Sequence, residues 1–567
     1  MLSSRRLTML AISIGLTLSI AFARAIQVQV FESPKYAAAA HDQQIETRIT
    51  LAPRGAIFDR SGNPLAVSNR AYIVHVDART LTDTATVATA LAPIIGRRVD
   101  EAQQRLEAIL ADRKSPTPTL STIVAYNLSP QATYQLTRTL RSLARGGLLV
   151  DETWARMYPY GPIAGPTIGF VSLQPVGYSG VEAYYNAQLS SPIGQRRERS
   201  RLELLAITPT HSGADLVLTL DLSLQTYVEA RLARAIQDTG ADSGTIIVLE
   251  TKTGAVLASA SWPGYDPNRA IELASSPDAR LLRDPAVSDA YEPGSVLKVL
   301  TLATALELGQ VTPQTILTDT GRLVIQDKRI YNSDRRRYGR VNIEDILANS
   351  LNVPTAQIAL EMGAEAFYQR LRLFGLGHRT GIDLGNEVSG ILRTPSDPEW
   401  SRADLATNSY GQGLTATPYQ VINAINVIAN DGVLMQPYVV QQWRATNGEI
   451  VRKQPVPVVR VVSAQTARTL RQVMMRATRR GTPMALVAGY PVAGKTGTAD
   501  WYLNGVKQET TLVTYVGFLP ADDPRITILV KLDRPQSSRW AAPTTVPVFH
   551  DVAERACQIL GIPPTMD

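Results

Sequence analysis

The sequence predicts an α+β protein with an N-terminal membrane helix, an elongated α+β pedestal and a C-terminal domain built on an antiparallel sheet with a helical subdomain. Three observations carry this. An uncharged run from Leu7 to Ala23 opens the chain behind Arg5 and Arg6. The 567 residues are too many for one hydrophobic core. Strand signals cluster at 243–261 and return at 491–532, with helical patterns between, so one sheet draws strands from both ends of the last domain.

The apolar run of 17 residues is at the short end for a bilayer span, but Arg24 can snorkel and Ala25 and Ile26 extend it. Arg5 and Arg6 would hold the N-terminus in the cytoplasm, placing everything after the span outside. Ala21-Phe22-Ala23 also fits a signal-peptide cleavage site; either reading exports the body of the chain. Residues 27–49 read as a stalk. Arg54 to Ala66 places Ser-Gly-Asn-Pro between two short apolar runs, a hairpin. Gly180-Val181-Glu182 opens a helix ending near Leu189, and the charge run Arg196 to Arg201 reads as a solvated loop or strand. Leu216–Leu220 is a strand, after which Asp221 caps a helix to about Ile236. The expected division is therefore 1–26 tip and anchor, 27–210 stalk and pedestal, and 211–567 the last domain. In that domain Ser243–Glu250 and Ala255–Ser261 form a hairpin, helices dominate 277–480, and Pro491–Tyr502, Thr511–Leu519 and Arg525–Leu532 are strands. Asn504-Gly505 is the strongest turn signal, and a final helix runs from about Pro547 to Leu560.

Composition excludes several classes. With 44% hydrophobic and 19% charged residues the chain is globular rather than disordered. A net charge of +7 is small for this length, and no nucleic-acid partner is expected. The single cysteine, Cys557, forbids an internal disulfide, and the five histidines (His41, His75, His211, His378, His550) are scattered, so no metal site and no cofactor are expected.

Three short motifs carry the chemistry. Val296 to Leu308 is apolar nearly all round, which marks a buried helix, yet Lys298 stands in its first turn. Ser295 and Lys298 are three apart and share a face. Burial lowers a lysine pKa, making Lys298 a base for a Ser295 nucleophile seated at the helix N-terminus. Ser350-Leu351-Asn352 lies between helical stretches 343–348 and 353–362; Ser350 can relay a proton between lysines, and Asn352 can bond a substrate amide, although taken alone it reads as a helix cap. Lys495-Thr496-Gly497-Thr498 sits in a strand. Gly497 is expected to let a ligand approach the backbone, Lys495, Thr496 and Thr498 to bind a carboxylate, and the N–H groups of Ser295 and Thr498 to form an oxyanion hole. Each motif is weak alone; their order is informative jointly. A Ser-His-Asp triad fares badly, since no histidine lies near these motifs and no Gly-x-Ser-x-Gly elbow occurs.

On these residues the chain resembles the class B penicillin-binding proteins, most closely the division-specific members. Arg54-Gly55 through Leu65-Ala66 is similar to that class's N-terminal signature, and Glu292-Pro293-Gly294-Ser295, Gly411 to Leu414 with Thr417-Pro418, Lys495 to Thr498 and Ala542-Pro543 through Phe549 resemble its catalytic-domain landmarks. The resemblance implies a dimerisation-type pedestal, a transpeptidase domain with a five-stranded antiparallel sheet, and a serine D,D-transpeptidase of the bacterial inner membrane. Its implied partners are nascent peptidoglycan stem peptides, β-lactams, and a polytopic glycosyltransferase with other divisome membrane proteins. An elongation role, a D,D-carboxypeptidase or serine β-lactamase, and a non-enzymatic β-lactam sensor or scaffold remain alternatives.

Overall fold

The computed structural model describes residues 4–36, 46–50, 52–113, 121–142, 148–172, 176–190, 194–200, 203–207, 212–445, 447–503 and 506–565. The chain forms two bodies, residues 1–53 with 191–212, and residues 54–190 with 213–567. The first holds the helix Ser4–Ile26, which continues as a single π turn, Gln27–Phe31. Its apolar stretch is long enough to cross a membrane. The same body holds a three-stranded antiparallel sheet of Glu46–Thr50, Gly194–Ser200 and Glu203–Ile207, so Arg196, Arg197 and Arg199 lie in strand, and Arg201 lies outside the described residues.

In the second body a seven-stranded sheet joins the pedestal segment to later chain. Ile57–Phe58 and Pro64–Asp77 form the expected hairpin, with Asp59 accepting from the N–H groups of Ser61 and Asn63 in the turn. Ile57–Phe58 also pairs in parallel with Asp215–Leu218, which pairs in turn with Val440–Arg444. A buried ion cluster pins this junction. The Glu182 carboxylate accepts from Arg54 Nε at 2.6 Å and from Arg156 Nε at 2.7 Å, and Arg156 also reaches Gly55 O at 2.7 Å. Glu182 is wholly buried, and each of its carboxylate oxygens is paired with a buried arginine. A Cβ on Gly55 would stand 2.0 Å from Ala214 O, which requires glycine where the two segments meet.

The five-stranded sheet has the order Val256–Trp262, Ser243–Glu250, Ile526–Asp533, Val506–Leu519, Ala493–Leu503, antiparallel throughout. Strand residues alternate between two cores. Ile246, Val248, Val513 and Val530 pack under the helices Leu222–Thr239 and Ala541–Leu560; Ile247, Leu249, Val516 and Leu529 face the helical subdomain. Both faces are covered, which explains the nearly continuous apolar runs. Leu503 pairs with Val506, so the predicted hairpin forms; its Asn504-Gly505 turn lies outside the described residues. The last helix begins at Ala541, six residues earlier than expected, and carries Pro547 inside it. Pro547 forfeits one backbone bond, but burial of Val546, Val548, Phe549 and Val552 on the sheet outweighs that loss.

Candidate active site

The nucleophile motif folds as a short 3-10 turn, Gly294–Val296, leading into the helix Leu297–Glu307. Every residue from Leu297 to Ala305 is buried, as an all-apolar helix requires. Two glycines make the turn possible. Gly294 has φ +57°, and a Cβ there would stand 2.6 Å from Thr498 O; Gly411 has φ +85°, and a Cβ there would stand 2.0 Å from Gly294 O. Gly294 N donates to Gly411 O, and Tyr291 pairs with Ala416. The turn is thus clamped between the strand Ala493–Leu503 and the 411–416 segment.

Ser295, Lys298, Ser350 and Lys495 form one continuous chain of contacts. Lys298 Nζ lies 2.9 Å from Ser295 Oγ, 3.1 Å from Ser350 Oγ and 2.6 Å from Ser350 O. Lys495 Nζ lies 3.0 Å from the same Ser350 Oγ, and bonds Thr496 O and Oγ1. Ser350 takes φ +55°, a left-handed conformation that costs a non-glycine residue about 1–2 kcal/mol. The Lys298 bond to its carbonyl helps to hold it there. Lys298 has no exposed surface; burial first, and then the Lys495 charge, push its pKa well below the ordinary lysine value. Burial brings Lys495 down to about 7.

Asn352 begins the helix Asn352–Met362. Its Nδ2 donates to Tyr331 O and its N–H to Asn332 Oδ1; Asn332 in turn donates to Asp319, which is fully buried. Sequence reasoning missed Tyr331, Asn332 and Asp319, which lie about twenty to thirty residues before the helix with no periodicity to mark them. Gly497 also carries a packing constraint that the sequence did not reveal. A Cβ there would stand 2.4 Å from Pro293 O and 3.0 Å from Val296 Cγ2, so the packing of the nucleophile turn on the strand requires glycine there.

Ser295, Ser350, Asn352, Lys495, Thr496 and Thr498 line one cleft of about 510 Å³. Its lining also includes Tyr410, Asp500, Arg539 and Trp540, none of which carried a sequence signal. Ala493–Leu503 is the edge strand of the sheet, so the cleft borders a backbone free to pair with an extended ligand. A hydroxyl touching a desolvated amine, itself joined through a second hydroxyl to another low-pKa amine, has the parts of a serine acyl-transfer centre.

Known proteins agree with that class. The penicillin binding protein transpeptidase domain model matches residues 244–554, and the penicillin-binding protein dimerisation domain model matches 49–218. The chain belongs to the penicillin-binding protein transpeptidase family, in its class B, division-type branch. It is 29% identical to penicillin-binding protein PbpB of Mycolicibacterium smegmatis, over 96% of this chain and 89% of that one. It is 28% identical to peptidoglycan D,D-transpeptidase FtsI of Escherichia coli, over 99% and 93%. Among solved structures, penicillin binding protein 3 of Mycobacterium tuberculosis in complex with aztreonam superposes with a TM-score of 0.69 at 27% identity, covering 92% of this chain and 99% of that chain.

Proposed function

We propose that this chain is a membrane-anchored peptidoglycan D,D-transpeptidase acting in septal wall synthesis. The carrying observation is the 2.9 Å contact between Ser295 Oγ and a lysine with no exposed surface. Neutral Lys298 takes the Ser295 proton as Oγ attacks the penultimate D-alanine carbonyl of a donor stem peptide. The N–H groups of Ser295 and Thr498 stabilise the tetrahedral oxyanion. Lys298 passes the proton through Ser350 to the leaving amine, and terminal D-alanine departs. The amine of a neighbouring stem then attacks the ester, returning the proton to the same chain and freeing Ser295. Lys495, with Thr496 and Thr498, holds the terminal carboxylate, and Asn352 bonds the stem amide. β-Lactams acylate Ser295 by the same route, consistent with the aztreonam complex of the M. tuberculosis relative.

The same reading assigns 1–26 to the tip and anchor, 27–210 to stalk and pedestal and 211–567 to the transpeptidase. Arg5 and Arg6 stay on the cytoplasmic side of the inner membrane, and the catalytic body lies on the other side, beside a polytopic glycosyltransferase and other divisome proteins. The test is cross-linking of lipid-linked precursor in membranes holding this chain and a glycosyltransferase. Cross-linked dimers with release of one D-alanine each support the reading. Release of D-alanine with hydrolysis alone would overturn it in favour of a carboxypeptidase. Depletion in cells should give filaments; round cells would assign elongation instead.

A further inference from the structure

Lys531 is a buried cation that the contacts linking Ser295, Lys298, Ser350 and Lys495 do not include. It stands in the strand Ile526–Asp533 and is 5% exposed. It shares a sheet face with Leu529, toward the helical subdomain. Its ammonium donates to Asp533 Oδ1, and Asp533 Oδ2 accepts from Ser243 Oγ at 2.6 Å. Replacing a buried ion pair by apolar groups of similar volume is often neutral or stabilising, so stability alone does not explain this lysine.

Its position in the sheet does. Lys531 lies opposite Thr514, and Thr514 lies opposite Gly497. The nucleophile turn packs along that row. Pro293 O sits over Gly497, and Tyr291 sits over the other two. Thr514 Oγ1 donates to the Tyr291 hydroxyl at 3.2 Å, and Lys531 Nζ stands 4.9 Å from the centroid of the Tyr291 ring. A desolvated ammonium is attracted to an aromatic face. The Tyr291 backbone exchanges both hydrogen bonds with Ala416, at 3.0 and 2.9 Å. Ring, hydroxyl and backbone are each fixed, four residues before Ser295.

We infer, on the acyl-transfer reading above, that Lys531 is a positioning residue for acylation. It holds the Tyr291 ring so that the turn presents Ser295 Oγ to Lys298. The test is acylation of the full chain in lipid nanodiscs by a fluorescent penicillin, resolved into the dissociation constant of the first complex and the acylation rate constant. A misplacement of about an ångström costs up to about a hundredfold in rate. Lys531→Met should lower the rate constant about tenfold and leave the dissociation constant unchanged. Asp533→Asn, which keeps the lysine but loosens it, should show the same split. Tyr291→Leu should match Lys531→Met, and the double variant should be no slower than the slower single, because both act through one contact. The plateau of labelling counts folded molecules, so misfolding lowers the plateau and not the rate constant. A rate constant within twofold of wild type in Lys531→Met, or losses that multiply in the double variant, overturns the positioning role and leaves acyl transfer standing. A wild type that takes no label at Ser295 overturns both.

Discussion

Lys495→Met separates stability from chemistry. In the folded chain Lys495 is buried and its pKa falls from 10.5 to about 7. At about 1.4 kcal/mol per unit, this depression costs the fold about 4 kcal/mol at pH 7, where the folded group is half protonated. Against that stand three hydrogen bonds, to Ser350 Oγ, Thr496 O and Thr496 Oγ1, worth about 1 kcal/mol each. Methionine removes both contributions and keeps the volume. The variant is therefore expected to be about 1–2 kcal/mol more stable at pH 7, and inactive. The sign with pH follows from proton counting. Between about 7 and 10.5 the unfolded chain holds a proton on Lys495 that the folded chain lacks, so wild-type stability rises with pH through that window. The advantage of methionine should shrink by about 1.4 kcal/mol per pH unit and reverse near pH 8–8.5. Thermal melts of both proteins from pH 7 to 10 measure this. A variant less stable than wild type at pH 7, with a gap that does not change with pH, would refute a desolvated lysine at this position.

Further outcomes follow from the same geometry. β-Lactam acylation of the wild type should slow on acidification once Lys298, whose pKa burial and the Lys495 charge hold well below the ordinary lysine value, becomes protonated and can no longer take the Ser295 proton; a rate that does not fall at any acid pH at which the protein stays folded contradicts this. Gly294→Ala should abolish acylation, since its Cβ would meet Thr498 O at 2.6 Å and the φ of +57° is strained for alanine; an active Gly294→Ala would show that the turn is not clamped. Asn332→Ala removes the acceptor at the start of the Asn352 helix and leaves the buried Asp319 short of a donor; it should lower stability by about 1–3 kcal/mol and reduce acylation, read by melting and labelling together. Glu182→Gln leaves Arg54 and Arg156 buried against a neutral partner and should cost about 3–5 kcal/mol with little change in the acylation rate of the folded fraction.

Local patterns made much of this legible. An apolar helix with a lysine in its first turn told of a buried amine three residues from a hydroxyl, and the pair lies 2.9 Å apart. The strand segments at 243–250 and 493–519 were marked by their apolar and polar runs, and they meet in one sheet although some 240 residues separate them. Long-range fit was not legible. Gly497 and Gly294 owe their identity to each other's neighbourhoods, Pro293 O and Thr498 O, which no local window contains. The left-handed Ser350 is held in part by a lysine fifty-two positions away. The start of the last helix at Ala541 was hidden by two prolines, whose local cost is outweighed by burial on a sheet assembled from distant strands.

The central claim is that Ser295 is the hydroxyl activated by a neutral buried amine. Fluorescent penicillin labelling of wild type, Ser295→Ala and Lys298→Ala, followed by mass spectrometry of the labelled peptide, tests it directly. One covalent adduct on Ser295 in the wild type, and none in either variant at equal folded protein, is the predicted result. Label carried by Ser295→Ala, or undiminished in Lys298→Ala, would contradict it.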